Sequence, residues 1–154
     1  IPDILCIAKG MGGGMPIGAF IASLELMNLL SFSPKLGHIT TFGGHPANCA
    51  SSLATLKHLL TTDLMNDIDK KEALFRKHLT SKKIKEIRGA GLMLAVEFED
   101  EIITKKVVEQ ALEKGLILFH FLFCKTAVRI TPPLTINEDE IIKGCEIIEE
   151  ILNT

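Results

Sequence analysis

The sequence predicts an α/β fold, and two patterns together with the size of the chain support this. Short apolar runs bounded by Gly and Pro, typical of buried strands, alternate with longer segments whose apolar residues recur every three or four positions, as in amphipathic helices. The alternation is most regular toward the C-terminus. With 154 residues and 47% hydrophobic content, the chain can also bury a core without disulfides or structural metals.

The N-terminal part begins with two predicted strands. Residues 4–8 and 17–23 are short apolar runs that we expect to form buried strands, and the Gly-rich stretch 9–16 separates them. A short helix is predicted over 24–30. Residues 31–44 contain Pro, Gly, Ser and Thr without periodicity, which predicts a long loop of the kind that compact domains usually keep for a function.

Two helices are predicted after this loop. The first begins at Pro46, because Pro at the first helical position loses no intrahelical hydrogen bond. The second follows Asp63 and extends to about residue 79. Apolar residues recur at helical intervals at Cys49, Ala50, Leu53, Leu56, Leu59 and Leu60 in the first helix, and at Leu64, Ile68, Phe75 and Leu79 in the second.

A strand and an amphipathic helix are predicted next. Residues 92–98 alternate with a period of two, which is typical of a strand. The helix covers 102–114 and ends at Gly115, the residue best suited to a left-handed helix stop. The inward residues are Leu92, Leu94, Val96 and Phe98 in the strand, and Ile103, Val107, Val108, Ala111 and Leu112 in the helix.

The chain ends with two more predicted strands and a helix. The strands cover 115–121 and 127–131. Asn137 and Glu140 have the spacing of a capping pair at the start of the last helix. The residues of this helix that we expect to face inward are Ile141, Cys145, Ile148 and Leu152.

The charge pattern argues against two classes of partner. The 17 basic and 19 acidic side chains give a net charge of -2, and they are scattered, so no sustained positive field favours nucleic acid or an anionic membrane. The longest apolar run, 115–124, is about half as long as a membrane-spanning helix. The chain opens on Ile1 without signal-peptide architecture, so we expect it to be a piece of a longer protein.

Cysteine and histidine spacing predicts neither disulfides nor a metal site. The cysteines lie far apart among apolar neighbours, which favours reduced, buried thiols in a cytosolic protein: Cys6, Cys49, Cys124 and Cys145. His38, His45 and His120 lack the intervals of metal ligands.

The Gly-rich stretch and the lysine before it are candidates for chemistry. A nucleotide P-loop needs its Lys after the glycines, whereas Lys9 precedes Gly10, and no amphipathic helix follows as in a dinucleotide fingerprint. Spacing alone therefore favours a flexible loop. Lys9 is expected at the end of a strand, at a sheet edge, where partial desolvation would favour the neutral amine that forms Schiff bases. Its position alone, however, favours an ordinary surface lysine.

Four segments together point to a known family. PDILCIAKGMGGGMPIGAFIAS and HITTFGGHPANCASSLATL resemble the core of class III aminotransferases, the pyridoxal-phosphate enzymes of the acetylornithine and ornithine aminotransferase type. IKEIRGAGLMLAVEF and TAVRITPPLTINEDEI resemble the small C-terminal domain of the same family. Four matching blocks in the family's order are more specific than any one block, and they outweigh both preferences stated for the glycines and for Lys9.

The resemblance implies a fold and a domain organisation. The chain resembles the C-terminal part of a fold-type I pyridoxal-phosphate-dependent transferase. Residues 1–60 would end the large cofactor-binding domain, with a linking helix from about residue 46, and residues 61–154 would form the small α/β domain.

The resemblance also implies roles for three residues. Lys9 would form the internal aldimine with pyridoxal 5'-phosphate and move the proton between substrate Cα and cofactor C4′. Thr41 would donate its hydroxyl to the cofactor phosphate of the other subunit of a homodimer, which fits a hydroxyl followed by glycines and a helix start. Arg129, in an Arg-x-x-Pro-Pro setting, would hold the substrate carboxylate through two parallel hydrogen bonds.

Each of these residues also has an ordinary structural interpretation. Without the resemblance, Thr41 is a loop threonine and Arg129 forms a surface salt bridge. Arg88 is expected to form a stabilising ion pair, without a catalytic role. His45 replaces the Asn that the family pattern has before the proline, which weakens any inference about hydrogen bonds in that turn.

The resemblance finally implies an activity and its limits. The parent protein would move an amino group from an amino acid or amine, ornithine-like or acetylornithine-like, to a 2-oxo acid. The family's phosphate loop, ring-stacking aromatic residue and pyridine-nitrogen Asp should all precede Lys9, so we expect this chain to be a C-terminal fragment that is inactive alone. The alternatives are a pyridoxal-phosphate aminomutase or decarboxylase, or a non-enzymatic module that binds a phosphorylated ligand or a protein partner.

Overall fold

The chain divides into two compact units. The computed structural model describes residues 1–35 and 39–154, so His38 and part of the predicted loop 31–44 lie outside the described residues. One unit covers Ile1–Thr62 and the other Asp63–Thr154. Their assignment to a large and a small domain stays a prediction.

The first unit contains a two-stranded ribbon and two helices. Strands β1 (Ile4–Ile7) and β2 (Ala19–Ala22) pair antiparallel, and a 3₁₀ turn follows β1 over Lys9–Gly12. Helix α1 covers Leu24–Leu29 and helix α2 covers Pro46–Thr61. Pro46 lies in the first turn of α2, as predicted.

The prediction that the N-terminal strands are buried was wrong for this chain. Leu5 in β1 is 47% exposed, Ile21 in β2 is 54% exposed and Leu56 in α2 is 53% exposed. Within the described part of this unit, Gly12 is the one buried residue. The physical reason is that two strands and two helices do not surround one another, so their apolar faces stay accessible. Cys6 and Cys49 are exposed for the same reason.

The second unit is a four-stranded antiparallel sheet with three helices. The strand order is β3-β4-β6-β5. The elements are α3 (Ile68–His78), β3 (Ile84–Ala90), β4 (Met93–Phe98), α4 (Glu101–Glu113), β5 (Phe119–His120), β6 (Ala127–Ile130) and α5 (Glu138–Asn153).

One face of this sheet forms the core with the helices. Leu94, Val96 and Phe98 alternate inward along β4 and are at most 1% exposed, which confirms the period-two prediction. They pack with Val128 and Ile130 of β6 and with side chains of α3, α4 and α5. Four of the helical partners are Val107, Ile141, Cys145 and Ile148.

The last helix begins as the sequence predicted. The Asn137 side chain accepts a hydrogen bond from the Glu140 amide at 2.9 Å, and the Glu140 carboxylate accepts one from the Asn137 amide at 3.0 Å. This reciprocal capping box satisfies two amides that the helix itself leaves unpaired. The cap is confirmed, as is the buried stripe of α5.

Three expectations about the second unit need correction. The helix predicted after Asp63 begins at Ile68, because Asp63–Met65 forms a short 3₁₀ turn. The predicted strand 115–121 is limited to Phe119–His120. Leu112, predicted on the inward stripe of α4, is 63% exposed, because the buried stripe runs through Thr104, Val107 and Ala111 instead.

Strand β3 was not predicted at all. Its sequence, IKEIRGA, has charged residues and glycine in place of an alternating apolar pattern. The segment becomes a strand because it pairs with β4, with Arg88 opposite Ala95. Gly89, which is opposite Leu94, has a φ of 118°, and a side chain there would overlap the Met93 carbonyl, so glycine is required at this position in β3.

Within residues 1–35 and 39–154, no helix combines the length and the hydropathy that are needed to cross a bilayer.

Candidate active site

Lys9 is held in an unusual backbone conformation directly after β1. Its φ is 54°, in the left-handed region. In the described part of the chain, Lys9 is the one residue with a positive φ that is not a glycine. Side chains disfavour this region, and such outliers concentrate at functional sites. The Lys9 side chain is exposed, so the desolvation considered from the sequence is not found in this chain.

Helix α2 binds the loop that follows Lys9. The side-chain amide of Asn48 donates a hydrogen bond to the Pro16 carbonyl at 2.7 Å. The Ser51 hydroxyl donates one to the Gly12 carbonyl, also at 2.7 Å. Neither Asn48 nor Ser51 was predicted from the sequence. The signal was present, because Asn48, Ser51 and Thr55 recur at intervals of three and four within a largely apolar helix.

Thr41 lies in the turn that leads into α2. The turn is closed by the Gly43 amide, which donates to the Thr40 carbonyl at 3.3 Å, and by the His45 amide, which donates to the Phe42 carbonyl at 3.2 Å. Thr41 is exposed. His45, at the N-cap position, makes no side-chain capping hydrogen bond, so the first amides of α2 have no side-chain acceptor among the described residues.

These features fit the two ends of the pyridoxal phosphate that the resemblance implies. An aldehyde needs an accessible amine with space beside it. The Lys9 amine is exposed, and a Cβ added at Gly10 or Gly14 would meet no atom within 4 Å. A phosphate needs hydrogen-bond donors, which the Thr41 hydroxyl and the uncapped N-terminus of α2 offer.

Arg129 lies on the sheet face opposite the core. In β6 it is opposite Ala95 of β4 and Phe119 of β5. Its guanidinium carbon is 5.6 Å from the centre of the Phe119 ring, a cation–π distance. Its Nε is buried and has no hydrogen-bond partner among the described residues. A buried donor without an acceptor is costly, so an oxygen acceptor bound beside Arg129 would stabilise it.

Ion pairs between described residues on the same face involve Arg88 and Lys85, and not Arg129. Arg88 donates to the Glu97 carboxylate, which confirms the ion pair predicted at Arg88, and Lys85 Nζ is 3.6 Å from Glu97 Oε1. Among the residues that the structure describes, no ion pair involves Arg129, so the surface salt bridge considered from the sequence is not found there.

The Arg88 network also reaches a cysteine. Arg88 Nη2 is 3.5 Å from the Cys124 sulfur, which is 3.6 Å from the Thr126 hydroxyl. The hydrogen bond with Thr126 lowers the pKa of Cys124, and Arg88 contributes in the same direction. By contrast, burial raises the pKa of Cys145 to about 12. Cys145 alone of the four cysteines is buried as predicted.

The three candidate residues are divided between the units. Lys9 and Thr41 belong to Ile1–Thr62, and Arg129 belongs to Asp63–Thr154. Across the described ranges, no hydrogen bond links Lys9 with Thr41. Their roles therefore remain expectations, each with its own local geometry.

Comparison with known proteins identifies the family. A model of the aminotransferase class-III family matches residues 1–152. The acetylornithine aminotransferase of Caldanaerobacter subterraneus subsp. tengcongensis is 37% identical over 158 aligned positions, which cover 99% of this chain and 38% of that protein. The chain thus spans little more than a third of the length of this relative.

Solved structures have the same fold. The ornithine δ-aminotransferase of Plasmodium falciparum superimposes with a TM-score of 0.85 at 33% identity, covering 99% of this chain and 39% of that one. A phospholyase from Arthrobacter, in complex with phosphoethanolamine, has a TM-score of 0.91 at 24% identity, covering 100% and 39%, and shows the fold alone. The predicted α/β fold, matching part of a pyridoxal-phosphate-dependent transferase, is confirmed. With its family model matched over nearly its whole length, the chain belongs to the aminotransferase class-III family, whose members use pyridoxal phosphate.

Proposed function

We propose that this chain is the C-terminal part of a pyridoxal-phosphate-dependent aminotransferase. The enzyme moves an amino group from an ornithine-like or acetylornithine-like donor to a 2-oxo acid, and it works as a homodimer in the cytoplasm. Residues 1–60 end its cofactor-binding domain and residues 61–154 form its small domain. The length of the chain supports this, since it spans 38% of a relative named acetylornithine aminotransferase.

Three residues of this chain have distinct tasks in the proposed reaction. The Lys9 amine binds the cofactor's aldehyde carbon and later accepts the proton from the substrate α-carbon. The Thr41 hydroxyl donates to the cofactor phosphate in the neighbouring subunit. The Arg129 guanidinium orients the substrate by its carboxylate. The bound cofactor supplies an electron sink for the charge that develops at the α-carbon.

The observation that carries this proposal is the conformation of Lys9 within a family match of 1–152. A lysine at a left-handed φ of 54°, exposed after a strand and followed by a Gly-rich loop, is unfavourable as an ordinary surface residue. It is reasonable for an amine that must be presented to a ligand.

Borohydride reduction of the full-length protein loaded with pyridoxal phosphate tests the proposal. We expect the cofactor's absorption band to disappear and the reduced cofactor to remain covalently attached to Lys9, as located by peptide mass spectrometry. A protein that takes up no cofactor, or that carries it on another lysine, contradicts the proposal. Product analysis with ornithine and N-acetylornithine then separates transamination from carbon dioxide release by a decarboxylase and from isomerisation by an aminomutase.

Mixed dimers test whether Thr41 acts across the subunit boundary. A dimer of one Lys9→Ala subunit and one Thr41→Ala subunit contains one site with both residues intact only if Thr41 serves its neighbour. We therefore expect the mixed dimer to reach about half of wild-type activity when pyridoxal phosphate is scarce. If Thr41 serves its own subunit, the activity stays at that of the weakened Thr41→Ala site, and the proposed role is rejected. A monomeric full-length protein by sedimentation rejects it as well.

A further inference from the structure

The loop after Lys9 is attached to helix α2 at both ends. The bond from Ser51 to the Gly12 carbonyl and the bond from Asn48 to the Pro16 carbonyl, each 2.7 Å long, bracket the segment 12–16. Both donors belong to one helix of 16 residues. The segment is therefore tied to a rigid element at two points, in contrast to a glycine loop held only by its own turns.

Close packing accompanies these two bonds. Gly13 has a left-handed φ of 58°, and a Cβ there would overlap the Thr55 hydroxyl and lie 3.2 Å from the Ser51 hydroxyl. The Thr55 hydroxyl is fixed in turn by donating to the Ser51 carbonyl at 3.0 Å. Gly12 is the buried residue of the described first unit. The loop backbone thus approaches α2 as closely as glycine permits.

The backbone conformation of Lys9 needs contacts that hold it in place. Its left-handed φ is unfavourable for a residue with a side chain. The local bonds that hold the turn are single, short-range ones: the Met11 amide to the Ala8 carbonyl at 3.2 Å, and the Gly13 amide to the Gly10 carbonyl at 3.1 Å. A glycine-rich chain gains much conformational entropy when released, so these bonds compete with a large set of open conformations.

We infer that Ser51 and Asn48 are positioning residues for Lys9. Their hydrogen bonds clamp segment 12–16 to α2, and the clamped loop keeps Lys9 in its left-handed conformation, with its amine in one place relative to the helix. This inference rests on the proposed function insofar as Lys9 is the residue that binds the cofactor. The clamp itself is a property of the chain and can be tested without the cofactor.

Limited proteolysis of the full-length, cofactor-free protein tests the clamp. Trypsin cleaves after lysine only where the chain opens locally. We expect Ser51→Ala to speed cleavage after Lys9 by about two- to tenfold, the effect of losing one neutral hydrogen bond on the opening equilibrium, and Asn48→Ala to act similarly. Cleavage after Lys57 and after Lys77 should stay at the wild-type rate. Ser52→Ala is the matched control, because Ser52 lies on the same helix without a bond to the loop.

The loaded enzyme gives the second readout. If the clamp positions Lys9, Ser51→Ala lowers kcat by about two- to tenfold while KM and cofactor content stay near wild type, and the double variant with Asn48→Ala loses more. A double variant with wild-type cleavage after Lys9 overturns the inference. Faster cleavage at every lysine, with a lower melting temperature, overturns it too, because Ser51 and Asn48 would then stabilise the whole fold.

The two hypotheses fail in different ways. If Ser51 and Asn48 do not clamp the loop, borohydride still labels Lys9 in the wild-type protein. A wrong assignment of Lys9 abolishes that labelling but leaves the proteolysis result unchanged.

Discussion

Replacing Lys9 with alanine in the full-length enzyme is expected to reduce transamination by at least about a hundred- to ten-thousandfold, the usual contribution of a positioned acid or base. The physical reason is that, in the proposed reaction, the Lys9 amine accepts the proton from the substrate α-carbon, and alanine has no group that can do so. Activity is measured with ornithine or N-acetylornithine as the donor, and cofactor attachment by borohydride labelling, which should be lost completely.

Two further variants make the Lys9 result specific. Lys9→Arg keeps a positive charge and the same backbone position, yet it should be as inactive as Lys9→Ala, because a guanidinium is never deprotonated at working pH. Lys57→Ala, an exposed lysine on α2, should behave as wild type. A small amine added to Lys9→Ala should restore part of the turnover. A Lys9→Ala enzyme that retains more than about a tenth of wild-type activity would falsify the role.

Replacing Arg129 with lysine is expected to separate two kinds of donor. The variant should keep the cofactor's absorption band and lose about ten- to a hundredfold in kcat/KM for amino acids. The reason is that an ammonium does not reproduce two aligned donors, and a hydrogen bond to a charged group contributes about 1.5–3 kcal/mol. Simple amines, which lack the carboxylate, should be processed almost as by the wild type. Steady-state kinetics with matched amine and amino-acid donors measures the difference.

Arg88→Lys is the matched control for Arg129. Arg88 lies on the same face of the sheet, but it is already paired with Glu97. Its replacement should lower thermal stability without discriminating between donors. If Arg129→Lys lowers kcat/KM equally for amines and amino acids, Arg129 is a structural residue like Arg88, and the carboxylate must bind elsewhere.

Local patterns were sufficient for much of the second unit. The capping box at Asn137 and Glu140 depends on atoms three residues apart, so its signal is contained in a short stretch of sequence. The inward face of β4 follows from a period of two, because a strand alternates its side chains whatever its neighbours are. Both predictions are confirmed. Strand β3 was not predicted, because its sequence has no alternating apolar pattern. It is a strand because it pairs with β4.

Burial in the first unit could not be predicted in the same way. The apolar runs of β1 and β2 indicate faces that must be covered, but whether they are covered depends on elements distant in the sequence. In this chain Leu5 and Ile21 remain about half exposed, because the described residues of the unit do not cover both sides of its ribbon. An apolar run predicts a strand more reliably than it predicts that the strand is buried.

The sequence by itself determined the α/β class, most of the helices and strands, and the family. It also supplied the three candidates Lys9, Thr41 and Arg129. All of these depend on residues that are close together in the sequence or on the order of short motifs. Only the tertiary structure decided how Lys9 and Arg129 are held. The bonds that brace the Lys9 loop join residues 32 and 39 positions apart. The Nε of Arg129 is buried, without a hydrogen-bond partner among the described residues, because β6 lies between β4 and β5. Contacts over such separations arise only when the chain folds, and no local periodicity encodes them.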